Sequence, residues 1–151
     1  MLLKVAFTLA SSAGRCGRLS ILIFHRVLIK PDPLFPEEAD IRRFDEVMCW
    51  VKNWFNVLPL DKAITCLKQG LLPARAAAIT FDDGYADNFT HAMPILQKHG
   101  LHATFFIATG FLDGGRMWND TIIESIRGAM VPVIDCAFLD QGLIPVETVF
   151  H

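Results

Sequence analysis

The sequence predicts an α/β fold with a parallel sheet, holding about half of the elements of a (β/α) barrel. Apolar runs of strand length alternate along the chain with segments of helical periodicity. These runs barely alternate between apolar and polar residues, as is typical of parallel strands covered on both faces. Three clear strands and one or two weaker ones make about half of a barrel, which normally takes ~250 residues.

The first strand is predicted at residues 19–27, where β-branched and aromatic side chains cluster before a proline-rich loop. Apolar residues then recur at helical spacing over residues 40–53. A second helix is predicted at residues 61–69. Asp61 suits its N-cap or first turn, and Gly70 suits its end.

The next strand is predicted at residues 76–81, and a helix follows at residues 88–99. Pro94 either bends that helix or marks its true start. Residues 103–108 predict another buried strand. The weaker patterns that follow predict a helix capped by Asn119 or Asp120 and ending at Arg127, then a strand at residues 131–134.

The N-terminus is predicted to be an extension, residues 1–18, in front of one domain at residues 19–151. Its apolar stretch is shorter than the hydrophobic region of a signal peptide, so we expect a short helix that ends at Gly14. No apolar run approaches the roughly 20 residues that span a bilayer. The sequence therefore weakly favours the cytoplasm and leaves the compartment otherwise open.

Composition limits the partners that the chain can take. The net charge of −2 comes without a basic stripe or an acidic run, which argues against nucleic acid as a main partner. The cysteines are widely spaced and form no C-x-x-C pair. We interpret them as buried thiols rather than as a disulfide framework or a zinc site; they are Cys16, Cys49, Cys66 and Cys136.

The strongest functional motif is the pair of carboxylates, Asp82 and Asp83, that follows the strand at residues 76–81 and precedes Gly84. Successive strand side chains point to opposite faces, so the two carboxylates are expected to act differently. One could hold a metal ion while the other faces a water molecule beside it. The alternative is an exposed Asx turn without chemical function.

Several motifs in order resemble the polysaccharide deacetylase family (the NodB-homology domain, carbohydrate esterase family 4). Thr80-Phe81-Asp82-Asp83-Gly84-Tyr85 resembles the family's first motif. Phe24-His25-Arg26-Val27 is similar to a Tyr-His-x-Val strand end found near the start of many members, with Phe24 in place of tyrosine. Residues 94–106 are similar to the family's next helix and strand. The resemblance covers residues 19–127 and implies a partial barrel of the polysaccharide deacetylase type.

The resemblance implies hydrolysis of acetyl groups, N-acetyl above all, on a polysaccharide substrate. It implies that Asp82 is the catalytic base, that Asp83 binds a divalent metal, usually zinc, and that His25 supplies the general acid. The metal would polarise the acetyl carbonyl and lower the pKa of its bound water. Tyr85 and Trp118 are candidates for contact with the substrate, although helix capping explains Asn119 and Asp120 equally well.

The family's second motif, H-[S/T]-x-x-H, is absent from this sequence. A catalytic zinc takes about three protein ligands, so Asp83 alone is expected to bind zinc weakly, and the isolated chain is expected to lack zinc-dependent deacetylation. We interpret His91 as a solvated residue on a helix face. His99 and His102 suit a helix C-terminus, and the context of His151 does not resemble the second motif.

Three functional hypotheses stay open from the sequence. The first is a metal-dependent polysaccharide deacetylase. The second is an inactive truncated remnant, or a sugar-binding module that a partner completes. The third is a magnesium-dependent phosphohydrolase, which the adjacent pair Asp82-Asp83 fits poorly because that class uses D-x-D. Half a barrel would also leave an apolar seam exposed, from which we expect self-association or aggregation.

Overall fold

A computed structural model describes residues 11–129, 133–135 and 143–145. The described residues divide into two compact units. Residues 11–31 and 38–107 form the first unit, and residues 32–37, 108–129, 133–135 and 143–145 form the second. The parallel sheet and the Asp82-Asp83 motif both belong to the first unit.

The sheet of the first unit has four strands, all parallel. The central strand pairs over its whole length with the first strand, from Leu19↔Ala76 to Phe24↔Phe81. Since a strand has two edges, the two short strands share the other edge, one near its start and one near its end. The strands are β1 (Leu19–Phe24), β2 (Asn56–Val57), β3 (Ala76–Phe81) and β4 (Ala103–Phe105).

Three helices of the first unit connect these strands, so the α/β prediction is confirmed. They are α1 (Ile41–Trp54), α2 (Leu60–Gln69) and α3 (Met93–His99). Asp40 caps α1, because its side chain accepts a hydrogen bond from the backbone N–H of Arg43 at 2.7 Å. The residues that end α2 and α3 are Gly70 and Gly100, both left-handed.

The hydrophobic core lies between one face of the sheet and the helices α1 and α3. β3 contributes the buried side chains of Ile79 and Phe81, which alternate with residues of the opposite face. The helices contribute residues at helical spacing, since Phe44, Met48 and Val51 follow one side of α1. Burial of this apolar area supplies the main driving force for folding of the unit.

The opposite face of the sheet is less covered. Ile21 and Ile23 on β1 are 47% and 59% exposed, although both are large apolar residues within a strand. Among the described strands, only β3 pairs with β1. The sequence pattern, which predicts strands buried on both faces, therefore holds for β3 and not for β1.

Both outer strands are shorter than predicted. β1 ends at Phe24 rather than at residue 27, because the N–H of Val27 bonds to the side chain of Asp87 instead of to a strand. β4 ends at Phe105 rather than at residue 108. The pairing stops there because β3, its partner, ends at Phe81.

The structure also differs from the sequence predictions at the helix of residues 88–99, at the N-terminus and at the cysteines. The predicted helix at residues 88–99 begins as a π-helix, Asn88–Ala92, and Pro94 stands in the first turn of the α-helix that follows. Of the predicted N-terminal helix, residues 1–10 lie outside the described residues, while residues 11–13 are not helical. Cys16 and Cys49 are exposed rather than buried, and Cys136 lies outside the described residues.

The second unit contains the 3₁₀-helix Thr109–Phe111, the helix α4 (Trp118–Arg127) and two short antiparallel strands, β5 (Val133–Asp135) and β6 (Leu143–Pro145). The N-cap of α4 is Met117, whose side chain makes no capping hydrogen bond. Asn119 and Asp120 lie inside the helix, so the prediction that one of them caps it is wrong. The strand predicted at residues 131–134 corresponds to β5, with residues 131–132 outside the described range. Of the helices that the structure describes, none is both long and apolar enough to cross a membrane.

Candidate functional site

The carboxyl end of the sheet brings Asp82 and His25 next to each other. The N–H of Asp82 donates to the carbonyl oxygen of Phe24 at 2.9 Å, which extends the ladder beyond the last paired residues. His25 and Asp82 therefore follow directly after two paired strands, whose usual separation is about 4.8 Å. In an open α/β sheet, ligands bind outside this end of the strands.

A row of phenylalanine rings lies beneath this end of the sheet. Phe81 stacks on Phe24 at a centroid distance of 5.4 Å and on Phe105 at 5.1 Å, so β1, β3 and β4 each contribute one ring. Phe44 of α1 meets Phe81 edge-on at 5.8 Å. Such aromatic pairs contribute about 0.5–1.5 kcal/mol each beyond the burial of their area. They fix the ends of the three strands relative to one another.

The chain turns sharply after Asp82 in a strained conformation. The N–H of Gly84 donates to the carbonyl oxygen of Asp82 at 2.9 Å, and Asp83 between them has a φ of 70°. A γ-turn with a positive central φ is rare and strained. Gly84 has a φ of 75°, and an added Cβ there would lie 2.9 Å from Cδ1 of Ile107. The backbone, not a carboxylate, closes this turn, which argues against the Asx-turn alternative.

The three ionisable side chains at this end are accessible to a ligand. His25 is exposed, and Asp82 and Asp83 are partly exposed. Within the part of the chain that the structure describes, none of the three makes a side-chain hydrogen bond or an ion pair. The two carboxylates and the imidazole are thus neither buried in the core nor bonded to another described side chain, and all three can reach a ligand.

Asp87 anchors the segment that follows His25. One of its carboxylate oxygens accepts a hydrogen bond from Nε of Arg26 at 2.9 Å, and the other accepts from the N–H of Val27 at 3.3 Å. Asp87 is only 8% exposed, so these bonds compensate a buried charge. The Arg26 guanidinium also stacks over the ring of Tyr85, 4.5 Å from its centroid.

Asn88 and His91 hold the same segment. With its side-chain amide oriented so that both bonds form, Asn88 donates from Nδ2 to the carbonyl oxygen of His25 at 2.9 Å and to Asp87 at 3.3 Å. His91 lies 2.7 Å from the carbonyl oxygen of Val27 through Nδ1, and it is partly buried. The interpretation of His91 as a solvated helix-face residue is therefore wrong.

The donor set does not amount to a complete metal site. Over residues 11–129, 133–135 and 143–145, no three histidine, cysteine, aspartate or glutamate side chains are grouped so that they could hold a metal ion. Asp83 is suited to be one ligand, since it is partly exposed at the end of the sheet. One carboxylate falls short of the about three protein ligands of a catalytic zinc.

The other candidates from the sequence divide between the two units. Tyr85 belongs to the first unit, where its ring stacks on Arg26. Trp118 belongs to the second unit and is 76% exposed at the start of α4. Contact of either residue with a substrate stays a prediction. His102 is exposed after the end of α3, and His151 lies outside the described residues.

His99 has a structural role on the helix layer. Its Nε2 lies 2.7 Å from Oδ1 of Asp45. Nζ of Lys98 donates to both carboxylate oxygens of Asp45, to Oδ1 at 2.9 Å and to Oδ2 at 2.8 Å. The pKa of Asp45 is lowered from its usual value; the hydrogen bond from Lys98 is the largest cause, and the hydrogen bond with His99 is the next. These contacts join α3 to α1 and involve neither Asp82 nor His25.

Sequence reasoning missed Asp87 and Asn88 as parts of this region. The only local signal was two adjacent polar residues that open a predicted helix, a pattern that usually indicates capping or a solvated face. The partners of Asp87, which are Arg26 and Val27, lie 61 and 60 residues earlier in the chain. Asn88 bonds to His25 in the same early segment. Spacing in the sequence alone does not reveal such contacts.

The sequence is similar to those of polysaccharide deacetylases. The family model described as Polysaccharide deacetylase matches residues 70–128. YxkH of Bacillus subtilis, named as a polysaccharide deacetylase, is 34% identical over 93 residues, 60% of this chain and 32% of its own. The poly-beta-1,6-N-acetyl-D-glucosamine N-deacetylase of Staphylococcus aureus is 31% identical over 83 residues, 54% of this chain and 29% of its own. The chain thus spans about a third of the length of these relatives.

Solved structures of deacetylases are similar to this chain as well. The deacetylase PplD of Streptococcus pyogenes, solved in complex with acetate, matches with a TM-score of 0.55 and 27% identity, over 66% of this chain and 46% of its own. IcaB of Ammonifex degensii also has a TM-score of 0.55, over 71% of this chain and 43% of its own, and at 24% identity it supports the fold alone. In its sequence and its fold, this chain is thus similar to part of a polysaccharide deacetylase domain of the NodB type.

Proposed function

We propose that the chain supplies the acid and the base of a metal-dependent hydrolase that removes N-acetyl groups from a polysaccharide. The observation that carries this proposal is the hydrogen bond from Asp82 N–H to Phe24 O, which sets Asp82 beside His25 at the carboxyl end of the sheet. An accessible carboxylate beside an accessible imidazole is the pairing that acid–base hydrolysis of an amide needs.

In this proposal Asp82 is the general base. It accepts a proton from a water molecule as the water oxygen attacks the acetyl carbonyl carbon. When the C–N bond of the tetrahedral intermediate breaks, His25 donates a proton to the departing sugar nitrogen. The products are acetate and a free amine, and both residues return to their starting protonation states by exchange with solvent.

Asp83 is proposed to be one ligand of the divalent ion, with zinc as the expected metal. The described residues offer no complete site, and the sequence has no H-[S/T]-x-x-H motif. Further ligands must therefore come from groups outside the described residues. For the chain alone, we expect calorimetric titration with zinc to give weak binding that Asp83→Asn removes.

The proposed substrate is a polymer of N-acetylated hexosamine. This choice draws on the Staphylococcus aureus relative, whose name specifies poly-beta-1,6-N-acetyl-D-glucosamine. It also suits an open site at the end of a sheet, where an extended chain of sugars can pass. Tyr85 is the candidate of the first unit for stacking against a sugar ring.

The test measures acetate release from N-acetylglucosamine oligomers, with zinc or with a chelator. The chain is assayed alone and mixed with the remaining part of the Staphylococcus aureus relative as a separate polypeptide. We expect release from the mixture that Asp82→Asn, Asp83→Asn and His25→Ala each abolish, and no release from the chain alone. Asp45→Asn is the matched control, since Asp45 bonds only on the helix layer.

The relative itself, divided at the equivalent position, shows whether two such polypeptides assemble. If that divided relative is active while its mixture with this chain is not, the proposed function is wrong. Robust zinc-dependent release from the chain alone would support the function. It would also show that a full ligand set exists beyond Asp83, contrary to our expectation for the metal.

We also propose that the open face of the sheet drives self-association. Ile21 and Ile23 are exposed side by side on one strand, and β1 has an edge that no other described strand covers. Sedimentation velocity should show species larger than a monomer, and Ile23→Lys should shift them toward the monomer. A single monomeric species at every concentration would contradict this proposal.

A further inference from the structure

The three residues after β1 lose their strand partner and are held in another way. Beyond Phe24, the backbone of His25, Arg26 and Val27 is no longer paired with β3. The carbonyl oxygen of His25 accepts from Asn88 at 2.9 Å, and that of Val27 is 2.7 Å from Nδ1 of His91. The N–H of Val27 and the guanidinium of Arg26 both donate to Asp87.

All of these contacts come from one short stretch of chain. Asp87, Asn88 and His91 stand at the start of and within the π-helix Asn88–Ala92, whose hydrogen bond from the N–H of Met93 to the oxygen of Asn88 closes a wide turn. A π-helical turn is rare and is frequently found at functional sites. Here the wide turn presents three polar side chains to the same segment.

We infer that Asp87 and Asn88 are positioning residues that fix the backbone of His25, and with it the place from which its imidazole extends, relative to Asp82. This inference rests on the proposed function, in which His25 is the general acid. We call the contacts of Asp87 and Asn88 with residues 25–27 the His25 clamp. The clamp acts through the backbone, because within the described chain His25 has no side-chain partner to orient its ring.

Burial makes the clamp stiff. Asp87 is 8% exposed and Asn88 is 4% exposed, so water competes little for their hydrogen bonds. Asp87 also joins the charge of Arg26 to a backbone donor, which fixes the carboxylate at both oxygens. The π-helix begins only a few residues after Asp83, so the element that holds the His25 segment closely follows the turn that carries the two aspartates.

The test follows the mobility of the His25 ring by nuclear magnetic resonance in the full chain. Backbone nitrogen relaxation of His25 and carbon relaxation of its imidazole are measured for the wild type, Asn88→Ala and Asp87→Asn. We expect the backbone order parameter of His25 to fall from about 0.85 to below about 0.6 in both variants. The order parameter of the ring, which moves with this backbone, should fall as well.

Asp45→Asn is the matched control, because it also removes an aspartate that pairs with a cation in the first unit. It should leave the His25 ring unchanged. Asp87→Asn keeps the shape of the side chain, so the test stands even if Asn88→Ala does not fold. A His25 ring that stays rigid in a folded variant of lowered stability would show a purely structural role, and it would overturn the inference.

Acetate release in the mixed assay gives a second readout. The clamp variants should lower kcat by about tenfold or more, with a smaller change in KM, because misplacement of a catalytic group affects the chemical step. Absence of release from every form would count against the proposed function alone, since the ring measurement does not depend on turnover. Normal kcat in a variant with a mobile His25 ring would overturn the inference.

Discussion

Two aspartates in the first unit make similar bonds with different consequences. Asp87 pairs with Arg26 and a backbone N–H, and Asp45 pairs with Lys98 and His99. The Asp87 side chain is 9% exposed, whereas that of Asp45 is 35% exposed. Asp87 holds a segment that has left the sheet, while Asp45 joins two helices that the core already packs together.

The effect of an ion pair in this unit thus depends on whether other packing or hydrogen bonds already hold the residues that it joins. Around Asp45, burial of Phe44 and Met48 keeps α1 in place, so the exposed pair adds little. Around Asp87, no sheet ladder holds residues 25–27, so the pair determines where the segment lies. Loss of an aspartate should therefore disturb the local geometry only at Asp87, and it should lower stability more there than at Asp45.

The largest effect is expected for Asp87→Ala. It leaves the N–H of Val27 and the guanidinium of Arg26 without an acceptor, and hydrogen bonds to charged groups contribute about 1.5–3 kcal/mol. We expect the free energy of unfolding to fall by about 2–3 kcal/mol, as measured by urea denaturation. A loss no larger than that of Asp45→Ala would remove the contrast between the two aspartates.

A smaller effect is expected for His91→Phe. The ring volume is roughly kept, but the hydrogen bond to the carbonyl oxygen of Val27 is lost in a partly buried site. We expect destabilisation by about 1 kcal/mol. His102→Phe is the control, because His102 is exposed; equal losses for both variants would show that the bond from His91 contributes nothing.

Asp83→Gly should change stability in the opposite direction. Left-handed backbone at a φ of 70° strains a residue that has a Cβ, and glycine relieves that strain. We expect stabilisation by up to about 1 kcal/mol, less the entropy that glycine adds to the unfolded chain. Asp45→Gly, within helix α1, should destabilise. Destabilisation by both substitutions would mean that the turn stores no strain.

The smallest effect is expected for Asp45→Asn, and it should depend on pH. The pKa of Asp45 is lower in the folded chain than its usual 3.8, so the unfolded chain takes up this proton first as the pH falls. The stabilising contribution is complete above the unfolded pKa and is lost as the pH falls through the folded pKa. Denaturation curves of wild type and variant should thus converge in acid. A difference that grows on acidification would contradict this sign.

The elements that local patterns define could be predicted from the sequence. Residues 76–81 match β3, because the apolar run has clear bounds at Arg75 and Asp82. The end of α2 was predicted from Gly70, and its left-handed conformation bears this out. The adjacent carboxylates were also predicted to follow β3, whereas His25 was predicted inside the strand at residues 19–27 and in fact follows the end of β1.

Features that depend on distant residues could not be predicted. The early end of β1 results from Asp87, which takes the N–H of Val27 away from any strand. The role of His91 depends on a carbonyl 64 residues away, so its helical spacing suggested only a solvated face. The strain at Asp83 was equally hidden, because nothing in the sequence marks this aspartate as left-handed.

The phenylalanine row beneath the site has a consequence for genetics. Phe24, Phe81 and Phe105 meet no substrate in the proposed reaction, yet they set the spacing of the strands that carry the acid and the base. Random mutagenesis scored by lost acetate release should therefore recover changes at these rings alongside changes at the carboxylates. Only the ring mutants should regain function on cooling or with a compensating neighbour, because packing defects can be repaired and an absent proton acceptor cannot.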